Sequence, residues 1–197
     1  MKFKIFLTSM LLCAAFVLIA QEARYEIKSA IISKTIEMMG QKIEGVQYVD
    51  DYGKKESVTI NMPMQGVPGA FVRTRTINKI DTIYTINLDY KTGTKTAMPN
   101  AIDQINYLKI TPEMREKQNI KELGKEEVAG KLCDKYSLEI SQAGQKASAT
   151  TWVWKGIVLK SVISVSGITM TEAATDIKEN VAVDADNFNI SNDIVFK

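Results

Sequence analysis

The sequence predicts a mainly β fold with helix (α+β), an antiparallel sheet covered by one or more helices, and three observations lead to it. Short runs rich in β-branched residues follow one another along most of the chain, separated by turn signals. One helix signal interrupts this series near the middle of the chain. Strands and helices do not alternate in the regular way that βαβ units require, so a parallel sheet is not expected.

The predicted strands fall into two groups on either side of that helix signal. Residues 25–39 alternate between two faces, and residues 46–62 contain two strands joined by a turn at 51–53. The next pair covers 70–77 and 82–90, linked by the polar residues 78–81, and a further turn is expected at 91–94. In the C-terminal half, strands are predicted at 133–140, 147–154, 157–165 and 170–180.

One helix is predicted over residues 112–123. Thr111 is a suitable N-cap, proline follows at the first helical position, and Gly124 supplies the stop. Met114, Ile120 and Leu123 form a narrow apolar stripe that could lie on a sheet. The preceding segment, 99–108, fits either a helical turn or an extended link.

Two tryptophans, Trp152 and Trp154, are predicted to lie in a hairpin with a two-residue turn at 155–156. Trp154 then pairs with Ile157 and Trp152 with Leu159, and strand alternation places all four on one face. The opposite face is expected to carry Thr151, Val153, Val158 and Lys160. Each tryptophan can bury roughly 150–250 Å². The pair therefore either forms core beneath the helix or walls a cavity that an apolar ligand fills, and the sequence leaves both open.

Methionines add a second group of candidate ligand contacts. Seven of the nine lie beyond residue 20, and flexible thioethers suit adaptable apolar surfaces, although they also serve as ordinary core residues. The residues predicted to line an apolar cavity are Trp152, Trp154, Ile157, Leu159, Met38 and Met62.

The N-terminus has the pattern of a secretory signal peptide. Lys2 and Lys4 precede an apolar run from Ile5 to Ala20, which is shorter than the roughly 20 residues needed to span a bilayer. Residues 1–20 are predicted to be removed on export, and residues 21–197 to form a single domain in the periplasm or cell envelope. The exported chain has equal numbers of acidic and basic residues, which gives no charge footprint for nucleic acid or an anionic membrane.

Several chemistries are disfavoured by composition. The chain has no histidine, which excludes Ser-His-Asp and Cys-His catalysis and the common zinc sites. Cys133 is the one cysteine beyond residue 20, so no intrachain disulfide is expected, and we interpret it as a buried small hydrophobe. Residues 184–186 begin like a calcium loop but lack its glycine, which favours a solvated loop. We therefore expect no enzymatic activity, cofactor or metal, and a monomer.

Three segments together resemble a known family. They are GKEEVAGKLCDKYSLEI at 124–140, WVWKGIVLKS at 152–161 and TEAATDIKENVAVDADNF at 171–188, with YEIKSAIISK near the start. They resemble the DUF4412-like group of exported envelope proteins of unknown function, which is related to the outer-membrane lipoprotein carrier (Lol-type) superfamily. The resemblance implies a strongly curved antiparallel sheet, an incomplete barrel, closed by helices over an apolar cavity. No arginine of this chain matches the one that tunes ligand release in the carriers.

Two functions are favoured over an enzyme. The first is a non-catalytic periplasmic or envelope protein that holds an apolar ligand, a lipid or a lipoprotein acyl chain, in a cavity between sheet and helix. The second is a structural or protein-interaction module of the envelope with a filled core and no ligand. A cavity of several hundred Å³ favours the first, and a sheet packed solid favours the second.

Overall fold

The computed structural model describes residues 22–64, 67, 69–79, 82–97, 105–142 and 145–197. Within these ranges the chain forms twelve strands and one α-helix. The predicted signal peptide, and much of the 99–108 segment, lie outside the described residues. Among the described residues, no helix is long and apolar enough to cross a membrane.

The strands and the helix are distributed as follows. The first half contains β1 (Ala30–Met38), β2 (Gln41–Asp50), β3 (Lys55–Pro63), β4 (Phe71–Asn78), β5 (Thr82–Asn87) and β6 (Thr92–Ala97). The helix α1 (Pro112–Lys117) follows. The second half contains β7 (Lys121–Val128), β8 (Lys131–Gln142), β9 (Gln145–Trp154), β10 (Ile157–Val165), β11 (Ile168–Glu179) and β12 (Val195–Phe196).

All twelve strands belong to one unclosed sheet. Their order is β12-β6-β5-β4-β3-β2-β1-β11-β10-β9-β8-β7, and every neighbouring pair is antiparallel except β12 and β6. Each half of the chain is therefore a meander, and the pairing of β1 with β11 joins the two halves. The prediction of a mainly β, antiparallel fold is confirmed.

The predicted helix is shorter than expected, because the chain reverses at residues 118–119. Asn119 has a left-handed φ of 48°, and α1 ends at Lys117. Residues 121–123, expected to be helical, begin β7, which pairs with β8. Leu123, expected on the apolar stripe, is half exposed. The N-cap is as predicted, since the Thr111 side chain accepts a hydrogen bond from the Met114 amide.

Two boundaries in the first half also differ from the prediction. Residues 25–28, predicted to be the first residues of a strand, form a bend, and β1 begins at Ala30. The turn expected at 91–94 lies at 88–91, because the Asn87 side chain accepts hydrogen bonds from the amides of Asp89 and Tyr90 and so ends β5 early. The turn predicted at 51–53 is present as a short 3-10 turn.

The tryptophan hairpin is partly as predicted. The turn at 155–156 and the pair Trp154–Ile157 are confirmed. The pair Trp152–Leu159 is wrong, because a bulge between Val158 and Lys160 shifts the register and sets Trp152 opposite Lys160. The same bulge brings Lys160 to the tryptophan side of the hairpin, where its Nζ lies 4.2 Å from the centre of the Trp152 ring.

A main apolar core lies where the N-terminal segment crosses the end of the sheet. The Glu26 amide donates to the Lys155 carbonyl over 3.1 Å and the Arg24 amide to the Tyr52 carbonyl over 2.9 Å, so this segment bridges two turns. Buried residues of the segment, of five strands and of the β7–β8 hairpin pack together here: Tyr25, Ile27, Ala30, Ile32, Val49, Val128, Cys133, Trp152, Ile157, Leu159 and Ala174.

A smaller core fixes the helix to the other half of the sheet. Ile120, Leu138 and Ala149 are buried, and Met114 of α1 packs against them together with residues 105 and 110. Residues 105–120 thus cover part of β8 and β9. Within the part of this segment that the structure describes, the six residues of α1 are α-helical and the other residues are turns or irregular chain.

The C-terminal segment runs back along the first half of the sheet. Ser29 Oγ donates to the Val181 carbonyl over 2.6 Å, and Arg75 Nη1 donates to the Asp186 carbonyl over 2.8 Å. Phe188 is buried, and the Val195 amide donates to the Lys91 carbonyl where β12 begins. These contacts hold the segment in place and add β12 beside the edge strand β6.

Candidate functional site

The sheet encloses a cavity of about 530 Å³ on one of its faces. Its walls come from β1, β2, β3, β8, β9, β10 and β11, and residues 105–118 close one side. In a flat sheet β3 and β8 would be roughly 29 Å apart, six steps of about 4.8 Å each. Since both line one small cavity, the sheet is strongly curved, as the family resemblance implied.

A row of polar side chains crosses the cavity wall from strand to strand. We call it the polar belt, and it consists of Glu56 (β3), Gln47 (β2), Lys34 (β1), Glu172 (β11), Ser161 (β10) and Thr151 (β9). Thr151 is paired with Ser161 and Ser161 with Glu172 across neighbouring strands. Gln47 is paired with Ile32 and Val58, so Lys34 and Glu56 are its diagonal neighbours on the same face.

Buried polarity is concentrated in this belt. Among the described residues seven polar or charged ones are buried, and five of these are in the belt; the other two are Ser29 and Ser57. Burying polar groups is unfavourable unless they are hydrogen-bonded. The clustering of buried polar residues in the polar belt therefore makes it a candidate binding site.

At one end of the belt, Glu56 is surrounded by donors. Its carboxylate accepts hydrogen bonds from Arg24 Nη1 and from the Tyr25 hydroxyl, each over 3.0 Å, and from Gln47 Nε2. Burial and then the neighbouring Glu56 charge raise the pKa of the Tyr25 phenol well above its usual value. Tyr25 therefore stays a neutral donor to Glu56, and Arg24 balances the carboxylate charge.

In the middle of the belt, Lys34 and Glu172 form an ion pair. Lys34 Nζ lies 2.6 Å from Glu172 Oε1, and the lysine side chain is 6% exposed against 28% for the glutamate. A second, longer contact of 3.5 Å joins Nζ to the Val158 carbonyl. An ammonium carries three hydrogens, so one N–H of Lys34 has no acceptor among the described residues.

At the other end, the belt meets the segment that covers the sheet. The Tyr107 hydroxyl and Thr151 Oγ1 are 3.1 Å apart, and burial raises the pKa of the Tyr107 phenol above its usual value. The Tyr107 ring also packs on Tyr136 with a centroid distance of 5.6 Å. This contact ties residues 105–110 to the sheet next to the cavity.

Two buried oxygens of the cavity wall have no hydrogen-bond donor among the described residues. They are Gln47 Oε1 and Gln118 Oε1. The Gln47 amide orientation is set by Glu56, because only its NH₂ group can donate to that carboxylate. Its carbonyl oxygen is therefore left as an acceptor at the cavity wall.

Apolar side chains form another part of the wall, while Lys117, Gln118 and Glu139 add polar groups near the end of α1. Val58, Leu138, Ala149 and Ile163 come from the sheet and Ile105 from the covering segment. The cavity thus has an apolar portion and a polar belt, which is the pattern of a site for an amphipathic molecule. Its volume falls within the roughly 300–1,000 Å³ usual for ligand pockets.

None of the six predicted cavity residues belongs to this lining. Trp152 follows Thr151, which lines the cavity, so alternation points Trp152 and Trp154 away from it. Ile157 and Leu159 are fully buried in the main core with Trp152. Met38 and Met62 lie four residues beyond Lys34 and Val58 on the cavity face of β1 and β3, and both are partly exposed. A ligand contact for any of the six stays a prediction.

Each tryptophan instead packs beneath two lysines that share one glutamate. Lys135 and Lys160 lie 4.7 and 4.2 Å from the Trp152 ring centre, and both pair with Glu126. Lys131 and Lys155 lie 4.8 and 4.6 Å from the Trp154 ring centre. Both of these lysines pair with Glu179. The hydrogen bond from Lys135 is the main cause that lowers the pKa of Glu126.

Cys133 lies in the main core and is fully buried. Burial raises the pKa of its thiol to about 11, so it is almost wholly protonated at neutral pH. Residues 184–186 form a capped turn, in which the Asp184 side chain accepts from the Asp186 amide.

Sequence reasoning missed the belt, although a signal for it is present. Lys34 stands between Ile32 and Ile36 at positions two apart, and Glu56 precedes Val58 and Ile60 in the same way. In each of these strands one polar residue occupies a position on the face that is otherwise apolar. When such strands are neighbours in the sheet, their polar residues form one shared site.

No protein-family model matches the sequence, and no curated protein matches it either. In structure it is similar to an uncharacterized conserved protein from Thermus thermophilus, with a TM-score of 0.54, 7% identity, and coverage of 87% of this chain and 91% of that one. It is also similar to a chain in the MucA/MucB complex of Pseudomonas aeruginosa, with a TM-score of 0.51 and 14% identity. That match covers 87% of this chain and 58% of the other.

The structure is less similar to that of the lipoprotein LppX of Mycobacterium tuberculosis, with a TM-score of 0.44 and 13% identity. That match covers 84% of this chain and 91% of the other. The likeness to the Thermus and Pseudomonas structures shows a shared fold alone, because the identities are so low.

Proposed function

We propose that this chain is an exported, non-catalytic envelope protein that holds the apolar part of a lipid or of an acylated protein in the cavity described above. The observation that carries the proposal is the cavity itself, which has a volume usual for ligand pockets and a partly apolar wall formed by a curved sheet. Removal of residues 1–20, a single domain over 21–197 and kinship with the Lol-type envelope proteins belong to the same proposal.

An acylated protein is a fitting partner because exposed apolar side chains surround one end of the sheet. Met39, Phe71 and Ile168 lie at or beside three hairpin turns on neighbouring strands and are 77%, 58% and 48% exposed. These could contact the polypeptide while its acyl chain enters the cavity. The alternative, a protein-interaction module with no ligand, would use the same turns and leave the cavity unused.

Isothermal titration with 1-monolaurin, a neutral twelve-carbon amphiphile, tests the proposal. The wild-type protein should bind it with a stoichiometry of about one. Val58→Trp places a large ring in the cavity and should weaken binding at least about tenfold. Val46→Trp is the matched control, because Val46 is next to Gln47 on β2 and faces the other side of the sheet.

Absence of binding by the wild-type protein, or an equal loss in both tryptophan variants, would count against a ligand in this cavity and favour the interaction module. Native mass spectrometry of protein purified from its own envelope would then show whether a lipid accompanies it.

A further inference from the structure

We propose that the polar belt binds the uncharged, hydrogen-bonding head of an amphiphile whose tail occupies the apolar portion of the cavity. The ligand class would be an acyl chain joined to a hydroxyl- or amide-bearing head, such as a monoacylglycerol or an acyl amide, rather than a free fatty acid. This inference rests on the proposed function and adds the orientation and head-group chemistry of the ligand.

The charges of the belt already cancel one another. Lys34 is paired with Glu172 at 2.6 Å, and Arg24 is paired with Glu56 at 3.0 Å. An anionic head placed on the belt would therefore meet two carboxylates and no unpaired cation. Since burial of an unpaired charge is strongly unfavourable, the belt disfavours ionised fatty acids.

The hydrogen bonds of the belt, in contrast, are incomplete. Lys34 keeps one N–H and Gln47 keeps Oε1 without a partner among the described residues. The Ser161 hydroxyl, between Glu172 and Thr151 in the belt, can donate or accept. A head that both donates and accepts hydrogen bonds would complete these contacts, and hydroxyl and amide groups do both.

Lys117 offers the competing location for a ligand head. It lines the cavity from the end of α1, is exposed, and forms no ion pair among the described residues. A fatty acid could enter tail first and leave its carboxylate in water beside this lysine. Head-in and head-out binding predict opposite preferences, so one set of ligands distinguishes them.

The experiment compares 1-monolaurin with laurate, which has the same acyl chain, by isothermal titration at pH 8. The wild-type protein should bind monolaurin at least about tenfold more tightly. Glu172→Gln leaves Lys34 as an uncompensated cation, so the affinity for laurate relative to monolaurin should rise at least about tenfold. Glu122→Gln is the matched control, since Glu122 pairs with Arg115 at an exposed site outside the cavity.

Gln47→Met provides a second variant that leaves every charge in place. It removes the Oε1 acceptor together with the Nε2 donor to Glu56, so monolaurin should weaken about fivefold or more and by a larger factor than laurate. Circular dichroism melts of all variants show that each is folded at the assay temperature.

Three results would overturn the inference. Equal affinity of wild-type protein for both ligands, unchanged by Glu172→Gln, would show that the belt does not contact the head while leaving a cavity ligand intact. A preference for laurate that Lys117→Met removes would show that the head lies at the mouth. Failure to bind either ligand would overturn the proposed function as well.

Discussion

Replacement of Trp152 by alanine tests whether this side chain belongs to the core or lines a ligand cavity. The side chain is 5% exposed and belongs to the main core with Cys133, Ile157 and Leu159. Alanine at this position leaves a large void next to side chains held by the sheet. We therefore expect a large loss of folding stability and little effect on ligand binding.

The magnitude follows from the buried area. A tryptophan buries roughly 150–250 Å², which at about 25 cal/mol per Å² gives on the order of 4–6 kcal/mol as an upper limit. Measured Trp→Ala changes in protein cores cost about 3–5 kcal/mol. The two lysines over the ring add a contribution of about 0.5–1 kcal/mol each at exposed positions. We expect a loss of about 4 kcal/mol for Trp152→Ala.

The assay is urea unfolding followed by circular dichroism, with Trp154→Ala as the matched comparison. Trp154 is only partly buried, so its loss should be the smaller of the two. Monolaurin binding by either variant, measured where the protein is folded, should stay within about twofold of wild type. A loss of under about 1 kcal/mol for Trp152→Ala together with much weaker binding would refute the placement of this ring in the core.

Three further predictions concern the Cys133 thiol, the Tyr25 phenol and the N-terminus of the exported protein. Cys133, with a pKa raised to about 11, should resist iodoacetamide at pH 8 in the folded protein and react once urea unfolds it; rapid labelling of the folded protein would contradict its burial. The raised pKa of Tyr25 makes its stabilising contribution complete below the unfolded value of about 10 and lost as pH rises through the folded value. Tyr25→Phe should therefore lose less stability than wild type between pH 9 and pH 11 in urea titrations, and an identical loss would contradict the burial of this phenol beside Glu56. Protein purified from the envelope should begin at or near Gln21, and N-terminal sequencing that finds Met1 would contradict export with cleavage.

Features set by local chemistry were predictable from the sequence. The turn at 155–156 needed two residues with positive φ, and Lys155 and Gly156 have φ of 49° and 85°. Thr111 capped the helix through its own side chain. The helix end was not predictable, because β7 is stabilised by pairing with β8, and a residue pattern with three apolar positions could not show that competition.

The register of β10 failed for a related reason. A bulge moves every following residue to the other face of the sheet, and nothing in the sequence between Val158 and Lys160 signals one. The bulge changes the partner of Trp152 but not the face that the two tryptophans share, and the sequence could not show which face of the sheet encloses a cavity. The structure places the cavity on the opposite side, next to Thr151.

The polar belt shows why a site of this kind depends on topology. Lys34 and Glu172 are 138 positions apart and meet only because β1 pairs with β11, the junction between the two meanders. Lys34 is buried and Glu172 is partly exposed, and desolvation of such a pair offsets most of its attraction, so the pair is not explained as a fold-stabilising contact. The pair lies in a cavity wall, and one N–H of Lys34 has no acceptor among the described residues. Polar groups in such a place are expected to serve binding. The same junction that completes the sheet thus also completes the belt.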